Sequence, residues 1–308
     1  MALPLLILLG PTAVGKTEIA IQLAEQLNGE IISADSRTFY RGMDIGTAKP
    51  TLQERERIPH HLIDIAEPDE PLSLAEFQQA VYKIVDDIHS REKLPLLVGG
   101  TGQYIQAITQ GWVIPPQEPD ARLRAALEHW AEVIGGERLH AGLAKLDQVA
   151  ASNIDWRNIR RTVRALEVIF RTGQRFSAQR QQGHARYRNI QIGITRPRAS
   201  LYERIDARIE AMIKAGWVEE VRTLLEHGYS PKLPALSAIG YRELIQYLQG
   251  QYSLEEAIVL IKRKTRALVR RQGTWFKVSD PDIRWFEVHP GVVEEIREYI
   301  LPLVKGMI

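Results

Sequence analysis

A phosphate-loop motif near the start of the chain constrains its fold most strongly. The sequence Gly-Pro-Thr-Ala-Val-Gly-Lys-Thr at 10–17 fits the pattern G-x-x-x-x-G-K-[ST] in full. An apolar run of strand length precedes it at 5–9, and apolar residues recur at helical spacing after it, at 17–27. A strand, a glycine-rich loop and a helix in this order bind phosphate through backbone amides and the partial positive charge of the helix start. The motif predicts a site for a phosphate or a diphosphate, which need not belong to ATP.

Two side chains of the motif have roles of their own. Lys16 can reach the distal phosphate, and the Thr17 hydroxyl can ligate Mg²⁺. The other members supply the backbone around the anion. These are Gly10, Pro11, Thr12, Ala13, Val14 and Gly15.

Strands and helices alternate along much of the remaining chain. Strand patterns recur at 30–33, 94–98 and 190–195, and a helix opened by a serine cap is predicted at 73–89. Further helices are predicted at 201–225, 253–271 and 292–303. This alternation predicts an α/β fold with a P-loop NTPase-like parallel sheet.

One region departs from this alternation. After a proline-rich break at 115–119, residues 120–171 are predicted as helices only, with a break near Gly135 and Gly136. The pattern indicates an inserted all-helical domain. The expected organisation is a P-loop core over 1–112, the inserted helical domain over 113–188, and the rest of the core with C-terminal helices over 189–308.

Composition excludes several classes of protein. Hydrophobic residues make up 44% and charged residues 25%, which is typical of a globular chain and excludes disorder, collagen and coiled coil. The chain has no cysteine, which excludes disulfides, a thiolate metal site and a cysteine nucleophile. No apolar run approaches the ~20 residues that cross a bilayer, and the apolar start lacks the features of a signal peptide. We expect a cytoplasmic protein without membrane contact.

Positive charge is concentrated in two segments. Residues 157–188 contain nine arginines and one acid, and residues 262–277 contain seven lysines and arginines and no acid. The rest of the chain has 24 cations and 37 acids, although the whole chain has a net charge of +2. Two basic patches on an acidic body indicate a polyanionic partner, and a pair of solvated helix faces is the alternative.

Polar and glycine residues follow two of the predicted strands. Asp35 comes after the second strand, at the edge where ligands lie in open α/β sheets. From position alone it could ligate Mg²⁺, act as a general base or cap a helix. Gly99, Gly100 and Gly102 follow the third strand and would let the backbone approach a ligand closely.

Two further groups of residues each have two interpretations. His60, His61 and Asp64 could suggest a metal site, but adjacent histidines seldom face the same ion, and a third ligand is not evident. Trp275 and Phe276 follow a cationic helix, where aromatic rings can stack on bases. Core packing is the alternative, and we favour it for Phe276.

Several segments beyond the phosphate loop form a recognisable set. They are Asp-Ser-Arg-Thr-Phe-Tyr-Arg-Gly-Met-Asp-Ile-Gly-Thr-Ala-Lys-Pro at 35–50, Pro-His-His-Leu-Ile-Asp at 59–64, Gly-Gly-Thr-Gly-Gln-Tyr at 99–104, Arg-Ala-Leu-Glu-Val at 164–168, Ala-Ile-Gly-Tyr-Arg-Glu at 238–243 and Arg-Arg-Gln-Gly-Thr-Trp-Phe at 270–276. Together they resemble the tRNA dimethylallyltransferase (tRNA isopentenyltransferase) family, over almost the whole chain. The segments at 35–50 and 270–276, in order with the phosphate loop, are the specific ones.

The resemblance implies a reaction and its cofactor. A dimethylallyl group would pass from dimethylallyl diphosphate to the exocyclic amine of the adenosine immediately 3′ of a tRNA anticodon, with Mg²⁺ present and diphosphate released. The phosphate loop would hold the leaving diphosphate, whose growing charge the amides, Lys16 and Mg²⁺ stabilise. By the family pattern Asp35 is the general base, and Arg208 binds the diphosphate. The family also implies a monomer and an adenosine flipped out of its stack.

The resemblance further assigns the residues that would contact the anticodon stem-loop of tRNA. They are Asp35, Ser36, Arg37, Thr38, Thr101, Arg124, Arg160, Arg161, Thr162, Val163, Arg164, Ser237, Ala238, Ile239, Gly240, Tyr241, Arg242, Arg270, Arg271, Gln272, Gly273, Thr274, Trp275, Phe276 and Lys277. The two basic patches overlap these positions, in the inserted helical region and at 270–277. Phosphate contacts there should make affinity strongly dependent on salt.

One departure from the family pattern concerns base recognition. The family often has Met-Gln where this chain has Arg37 and Thr38. If the glutamine amide helps to read bases, the Thr38 hydroxyl must replace it or the contact is lost.

Three other functions compete with this reading. An adenylate isopentenyltransferase would prenylate free AMP, ADP or ATP, but a free nucleotide needs neither the inserted helices nor two basic patches. A P-loop small-molecule kinase would hold ATP in the same loop, and it also needs no such patches. An RNA-binding protein with an inactive loop would leave Asp35 and Arg208 without a task.

Overall fold

The computed structural model describes residues 2–114, 120–179 and 183–304. Within it the chain forms two compact units, Met1–Thr109 with Ala185–Ile308, and Gln110–His184. The second unit begins and ends a few residues before the boundaries expected from the sequence, 113 and 188. The predicted proline break at 115–119 lies outside the described residues.

The first unit is built on a parallel sheet. Its strands are β1 (Pro4–Leu9), β2 (Gly29–Ser33), β3 (His60–His61), β4 (Leu94–Gly99), β5 (Arg188–Thr195) and β6 (Ile283–Glu287). They lie in the order β3-β2-β4-β1-β5-β6, and every pair is parallel. The predicted α/β fold class with a parallel sheet is confirmed.

Helices connect the strands and form the second unit. In chain order they are α1 (Lys16–Gln26), α2 (Leu52–Arg57), α3 (Leu74–Ser90), α4 (Gly102–Thr109), α5 (Ala121–Ile134), α6 (Gly136–Leu146), α7 (Gln148–Ser152), α8 (Ile159–Thr172), α9 (Arg198–Lys214), α10 (Trp217–Glu226), α11 (Tyr241–Leu248), α12 (Leu254–Trp275) and α13 (Val292–Val304). In the described part of the chain, every helix is too short or too polar to span a membrane.

The alternation of side chains along β1 divides the core into two layers. Leu5, Ile7 and Leu9 pack on the side of α3 and α4, and Leu6 and Leu8 pack on the side of α1 and α9. All five side chains are fully buried. A strand covered on both faces must be apolar throughout, which is why this run is so evident in the sequence.

The second unit is a small helical bundle with its own core. Leu127 of α5, Leu139 and Leu143 of α6, and Val163 and Leu166 of α8 pack together. The break predicted near Gly135 is confirmed, because Gly135 has a φ of 85° between α5 and α6.

One sequence-based prediction in the first unit was wrong, and two strands were missed. The helix predicted at 201–225 is two helices, because Gly216 takes a left-handed conformation with a φ of 102° between α9 and α10. Neither β3 nor β6 was predicted. The first has only two residues, and the second carries exposed Arg284 and Glu287 among its apolar residues.

The strand register aligns four functional segments. Leu9 at the end of β1 pairs with Gly99 of β4 and Gly193 of β5, and Ser33 at the end of β2 pairs with Val98. The segments that follow these strands therefore leave the sheet at the same edge, where ligands bind in open α/β folds.

Candidate active site

A cavity of about 970 Å³ lies in the first unit at the carboxyl edge of the sheet. It brings together predicted site residues from segments far apart in the chain. They are Thr12, Ala13, Gly15, Lys16, Thr17, Asp35, Ser36, Arg37, Thr38, Thr101, Arg208, Ser237, Ala238, Ile239, Arg271, Gln272 and Trp275. The phosphate loop and the proposed general base thus share one cavity.

The phosphate loop turns around its lysine. Gly15, with a φ of 112°, occupies the left-handed region that favours glycine and leads directly into α1. The Lys16 ammonium donates to the carbonyls of Gly10 at 3.0 Å and Pro11 at 2.9 Å. These bonds hold the charged group beneath the loop, at the start of the helix where an anion binds.

Burial and neighbouring charges tune the two main cations of the site. The pKa of Lys16 is lowered to about 8 because burial disfavours the ammonium, and the Asp35 carboxylate opposes this while Arg208 adds to it. Burial also lowers the pKa of Arg208, against the effect of Asp35. Two desolvated cations with one nearby carboxylate leave an excess of positive charge that an anion would compensate.

Two further arginines adjoin the loop and were not predicted from the sequence. Arg204 donates from Nε to the Ala13 carbonyl at 3.0 Å, and Arg196 donates from Nε to the Val14 carbonyl at 2.9 Å. Arg204 lies four residues before Arg208 on α9, and Arg196 directly follows β5. The helical spacing and the strand-end position could have indicated both residues.

Asp35 is fixed by the turn that follows β2. Its Oδ1 accepts from the Arg37 amide at 3.0 Å, and its carbonyl accepts from the Thr38 amide at 3.3 Å. The carboxylate therefore caps a turn and not a helix, which was the capping role considered from the sequence, and Asp35 also lines the cavity wall.

The structure accounts for the two residues that differ from the family pattern. The Thr38 hydroxyl bonds Ser33 Oγ at 2.8 Å and donates to the Asp35 carbonyl at 3.0 Å, and Thr38 is buried. Arg37 donates from Nη1 to the carbonyls of Pro234 at 2.8 Å and Ala235 at 3.2 Å. Thr38 is engaged inside the turn, and Arg37 connects that turn to the segment before Ser237.

The segment 237–242, predicted to contact tRNA, is bonded to a glutamate that was not predicted from the sequence. Glu220 of α10 accepts from the Tyr241 hydroxyl at 2.6 Å and from the amides of Asp44 and Ile45 at 2.8 and 2.6 Å. Tyr241 and Gly240 are buried, whereas Arg242 is exposed. Only a tertiary contact identifies Glu220, because nothing in its local sequence distinguishes it from other helix-surface glutamates.

The predicted RNA contacts at the end of α12 lie on different faces of the helix, so that some are exposed and others are buried. Arg270, Arg271, Gly273, Thr274 and Trp275 are exposed, as is Lys277 just beyond the helix. Gln272 and Phe276 are buried. Phe276 packs in the core beside α4, as favoured from the sequence.

Predicted RNA contacts in the helical unit surround one buried acid. Glu167 accepts from Arg124 at 2.8 Å and Arg164 at 2.7 Å and has no exposed surface. Burial raises the pKa of Glu167, but both arginines lower it, and the net direction is down. Arg160 and Arg161 are exposed, whereas Thr162 and Val163 point into the bundle core.

Of the histidine pair, His60 lines the same cavity as the phosphate loop. His61 Nε2 bonds Glu30 Oε2 at 2.8 Å, and His60 Nδ1 bonds the Ile58 carbonyl at 2.7 Å. Over residues 2–114, 120–179 and 183–304, no three His, Asp or Glu side chains come together as a metal site would require. For Mg²⁺, the cavity wall offers the oxygens of Thr17 and Asp35. This donor set fits an ion that keeps several waters and binds substrate phosphates.

A family model and related proteins all match this chain to one family of transferases. A family model described as IPP transferase matches residues 38–279. The tRNA dimethylallyltransferase of Roseiflexus sp. (strain RS-1) is 52% identical over 275 residues, which cover 89% of this chain and 90% of that protein. The protein of the same name from Dehalococcoides mccartyi is 44% identical over 301 residues, covering 96% and 93%.

Solved structures resemble this chain along almost its full length. The full-length tRNA isopentenylpyrophosphate transferase of Bacillus halodurans superimposes with a TM-score of 0.73 at 39% identity, covering 99% of this chain and 97% of that one. A eukaryotic dimethylallyltransferase acting on tRNA superimposes with a TM-score of 0.81 at 26% identity, covering 98% and 79%.

Proposed function

The chain belongs to the IPP transferase family and transfers a dimethylallyl group to tRNA, and we propose that the acceptor is the exocyclic amine of the adenosine immediately 3′ of the anticodon. The donor in this proposal is dimethylallyl diphosphate. The observation that carries the proposal is the shared cavity, which joins a phosphate loop to the carboxylate of Asp35.

The charges around the loop support a role in holding the leaving diphosphate. Lys16 and Arg208 lie near Asp35, and Arg204 and Arg196 bond the loop carbonyls. As the allylic carbon–oxygen bond breaks, both electrons go to the diphosphate, and preorganised cations and amides stabilise the charge that develops there.

Asp35 would serve as the base in the same step. The amine nitrogen forms a bond to the allylic carbon, and its proton passes to the Asp35 carboxylate as the diphosphate leaves. The turn fixes one carboxylate oxygen through the Arg37 amide, which orients the group on the cavity wall.

The Thr17 hydroxyl would hold Mg²⁺ together with the diphosphate oxygens. The ion would supply further neutralisation of the leaving group.

The exposed arginines support the proposed contact with the anticodon stem-loop. Arg160 and Arg161 on α8, and Arg270 and Arg271 on α12, present cations that can bind phosphates. An adenosine stacked in the loop must be flipped out before its amine reaches Asp35. Action on tRNA also supports the expected cytoplasmic location, and the protein is expected to act as a monomer.

A labelling experiment distinguishes this proposal from its alternatives. The protein is incubated with Mg²⁺, labelled dimethylallyl diphosphate, and either an anticodon stem-loop RNA with an adenosine 3′ of the anticodon or free AMP. We expect label in the RNA, and none when that adenosine is replaced by guanosine. Label in AMP would assign the protein to adenylate prenylation, and label in neither would make ATP turnover by a kinase the next test.

A further inference from the structure

Gln272 connects α12 to two loops of the cavity. Its side chain is 8% exposed. The amide oxygen Oε1 accepts from the Thr12 amide in the phosphate loop at 2.9 Å, and Nε2 donates to the Gly100 carbonyl after β4 at 3.1 Å. One side chain therefore bonds two segments that leave neighbouring strands, and it does so from a third element.

The segment after β4 packs so closely against Gln272 and Trp275 that two of its positions have no room for a side chain. A Cβ on Gly100 would lie 2.5 Å from Gln272 Nε2, and a Cβ on Gly102 would lie 2.2 Å from the Trp275 ring. Gln272 and Trp275 are three residues apart, so they share one face of α12. That face lies directly against the glycine segment that follows β4.

The neighbouring positions on α12 carry the charges proposed to bind RNA. Arg270 and Arg271 immediately precede Gln272 and are exposed. A helix segment proposed to bind RNA through its exposed arginines is thus bonded to the phosphate loop through Gln272.

We propose that Gln272 is a positioning residue that couples RNA binding at α12 to diphosphate binding at the phosphate loop, an inference that rests on the proposed function. RNA bound to Arg270 and Arg271 would hold α12 against the loops. Gln272, which accepts from the Thr12 amide, would then hold the first turn of the phosphate loop in its present conformation. Coupling of this kind is reciprocal, so each ligand should tighten the other by the same factor.

The test measures the affinity for inorganic diphosphate with Mg²⁺, by calorimetry, with and without saturating anticodon stem-loop RNA. In the unmodified protein we expect the RNA to tighten diphosphate binding by at least about fivefold, the lower end of typical coupling. Gln272→Met should reduce this ratio to about one, while the salt dependence of RNA binding is kept because the arginines remain. Gly100→Ala, which crowds the same contact from the other side, should have the same effect.

Gln78→Met is the matched control. Gln78 is a buried glutamine on α3 that donates to the Ala107 carbonyl at 2.8 Å, away from the phosphate loop. Gln78→Met should lower the melting temperature about as much as Gln272→Met does, and it should leave the coupling ratio unchanged. An unchanged ratio in Gln272→Met, or no coupling in the unmodified protein, would overturn the inference. If the unmodified protein prenylates RNA yet shows no coupling, the proposed function stands and this inference alone fails.

Discussion

Arg204 donates from Nε to the backbone carbonyl of Ala13 at 3.0 Å, which orients a peptide of the phosphate loop. Because the peptide group is planar and trans, the Ala13 carbonyl and the Val14 amide point in opposite directions. Arg204 therefore fixes the orientation of this peptide, whose Val14 amide donates to the Pro11 carbonyl at 3.4 Å within the loop. Arg196 does the same for the next peptide through the Val14 carbonyl.

The first prediction concerns this contact. Arg204→Ala should raise the Kd for inorganic diphosphate by about tenfold, because a hydrogen bond from a charged donor contributes roughly 1.5–3 kcal/mol and Arg204 is partly solvated. Calorimetric titration at one ionic strength measures it. Arg198→Ala, an exposed arginine at the start of the same helix, is the control. Equal affinities of both variants would show that Arg204 contributes nothing beyond general charge.

The second prediction follows from the pKa of Lys16, which is lowered to about 8 by burial. A bound anion favours the ammonium and raises this pKa, so diphosphate binding takes up a proton when the pH exceeds about 8. Diphosphate affinity should therefore fall as the pH rises above 8 and be independent of this group well below it.

Lys16→Arg isolates the effect of that lysine. Arginine stays charged throughout this range, and diphosphate's own titration is common to both proteins. The slope of log Kd against pH between 8 and 10 should be shallower in the variant. Identical slopes would assign the pH dependence to other groups.

The third prediction tests the RNA contact at α12. Arg271→Ala should weaken RNA binding and reduce the slope of log K against log salt by about 0.7–0.9, the contribution of one phosphate contact. Arg297→Ala, on α13 and paired with Glu294, removes the same charge elsewhere on the surface. Filter binding over a salt series measures both variants. A slope unchanged from the unmodified protein would remove Arg271 from the interface.

The fourth prediction concerns stability. Glu30, 1% exposed, bonds Arg91, Lys93 and His61, and the hydrogen bond from Arg91 is the main cause that lowers its pKa to about 2. A folded-state pKa below the unfolded one contributes stability that is present above about pH 5 and lost as the pH falls toward 2. At 1.36 kcal/mol per pKa unit, that contribution is on the order of 3 kcal/mol.

Glu30→Gln should therefore be less stable than the unmodified protein at pH 7, and the difference should narrow as the pH is lowered to 3. Urea unfolding at several pH values measures this. Glu25→Gln, which removes the exposed pair with Arg57, should change stability little. A Glu30→Gln deficit that is independent of pH would contradict the assignment.

The strongest parts of the fold were predictable because their signals are local. The phosphate loop combines a fixed motif with a strand buried on both faces, and both can be read from neighbouring residues alone. The break between α9 and α10 at Gly216 was also present in the sequence, but continuous helical periodicity on either side concealed it. The two-residue strand β3 has no periodicity to detect and depends on pairing with β2.

The sequence was sufficient to predict which segments form the site. It was less informative about which side chains of those segments are exposed. The segment 160–164 was assigned as a whole, yet a helix directs Thr162 and Val163 into the core and leaves Arg160 and Arg161 outside. The strand-end position of Arg196 could have indicated a site residue, but its contact with the Val14 carbonyl, 182 positions away in the sequence, depends on the fold.

Asp35→Asn tests whether this cavity pairs a loop that holds the diphosphate with a carboxylate that acts as the base. Under single-turnover conditions, with saturating dimethylallyl diphosphate and anticodon stem-loop RNA, we expect the rate of prenyl transfer to fall by about 10²–10⁴-fold. RNA binding should be kept, and diphosphate affinity should be unchanged or higher because a negative charge near Lys16 is removed. Asp69→Asn, an exposed residue in a turn, should react at the normal rate. A near-normal rate in Asp35→Asn with both ligands bound would exclude Asp35 as the base.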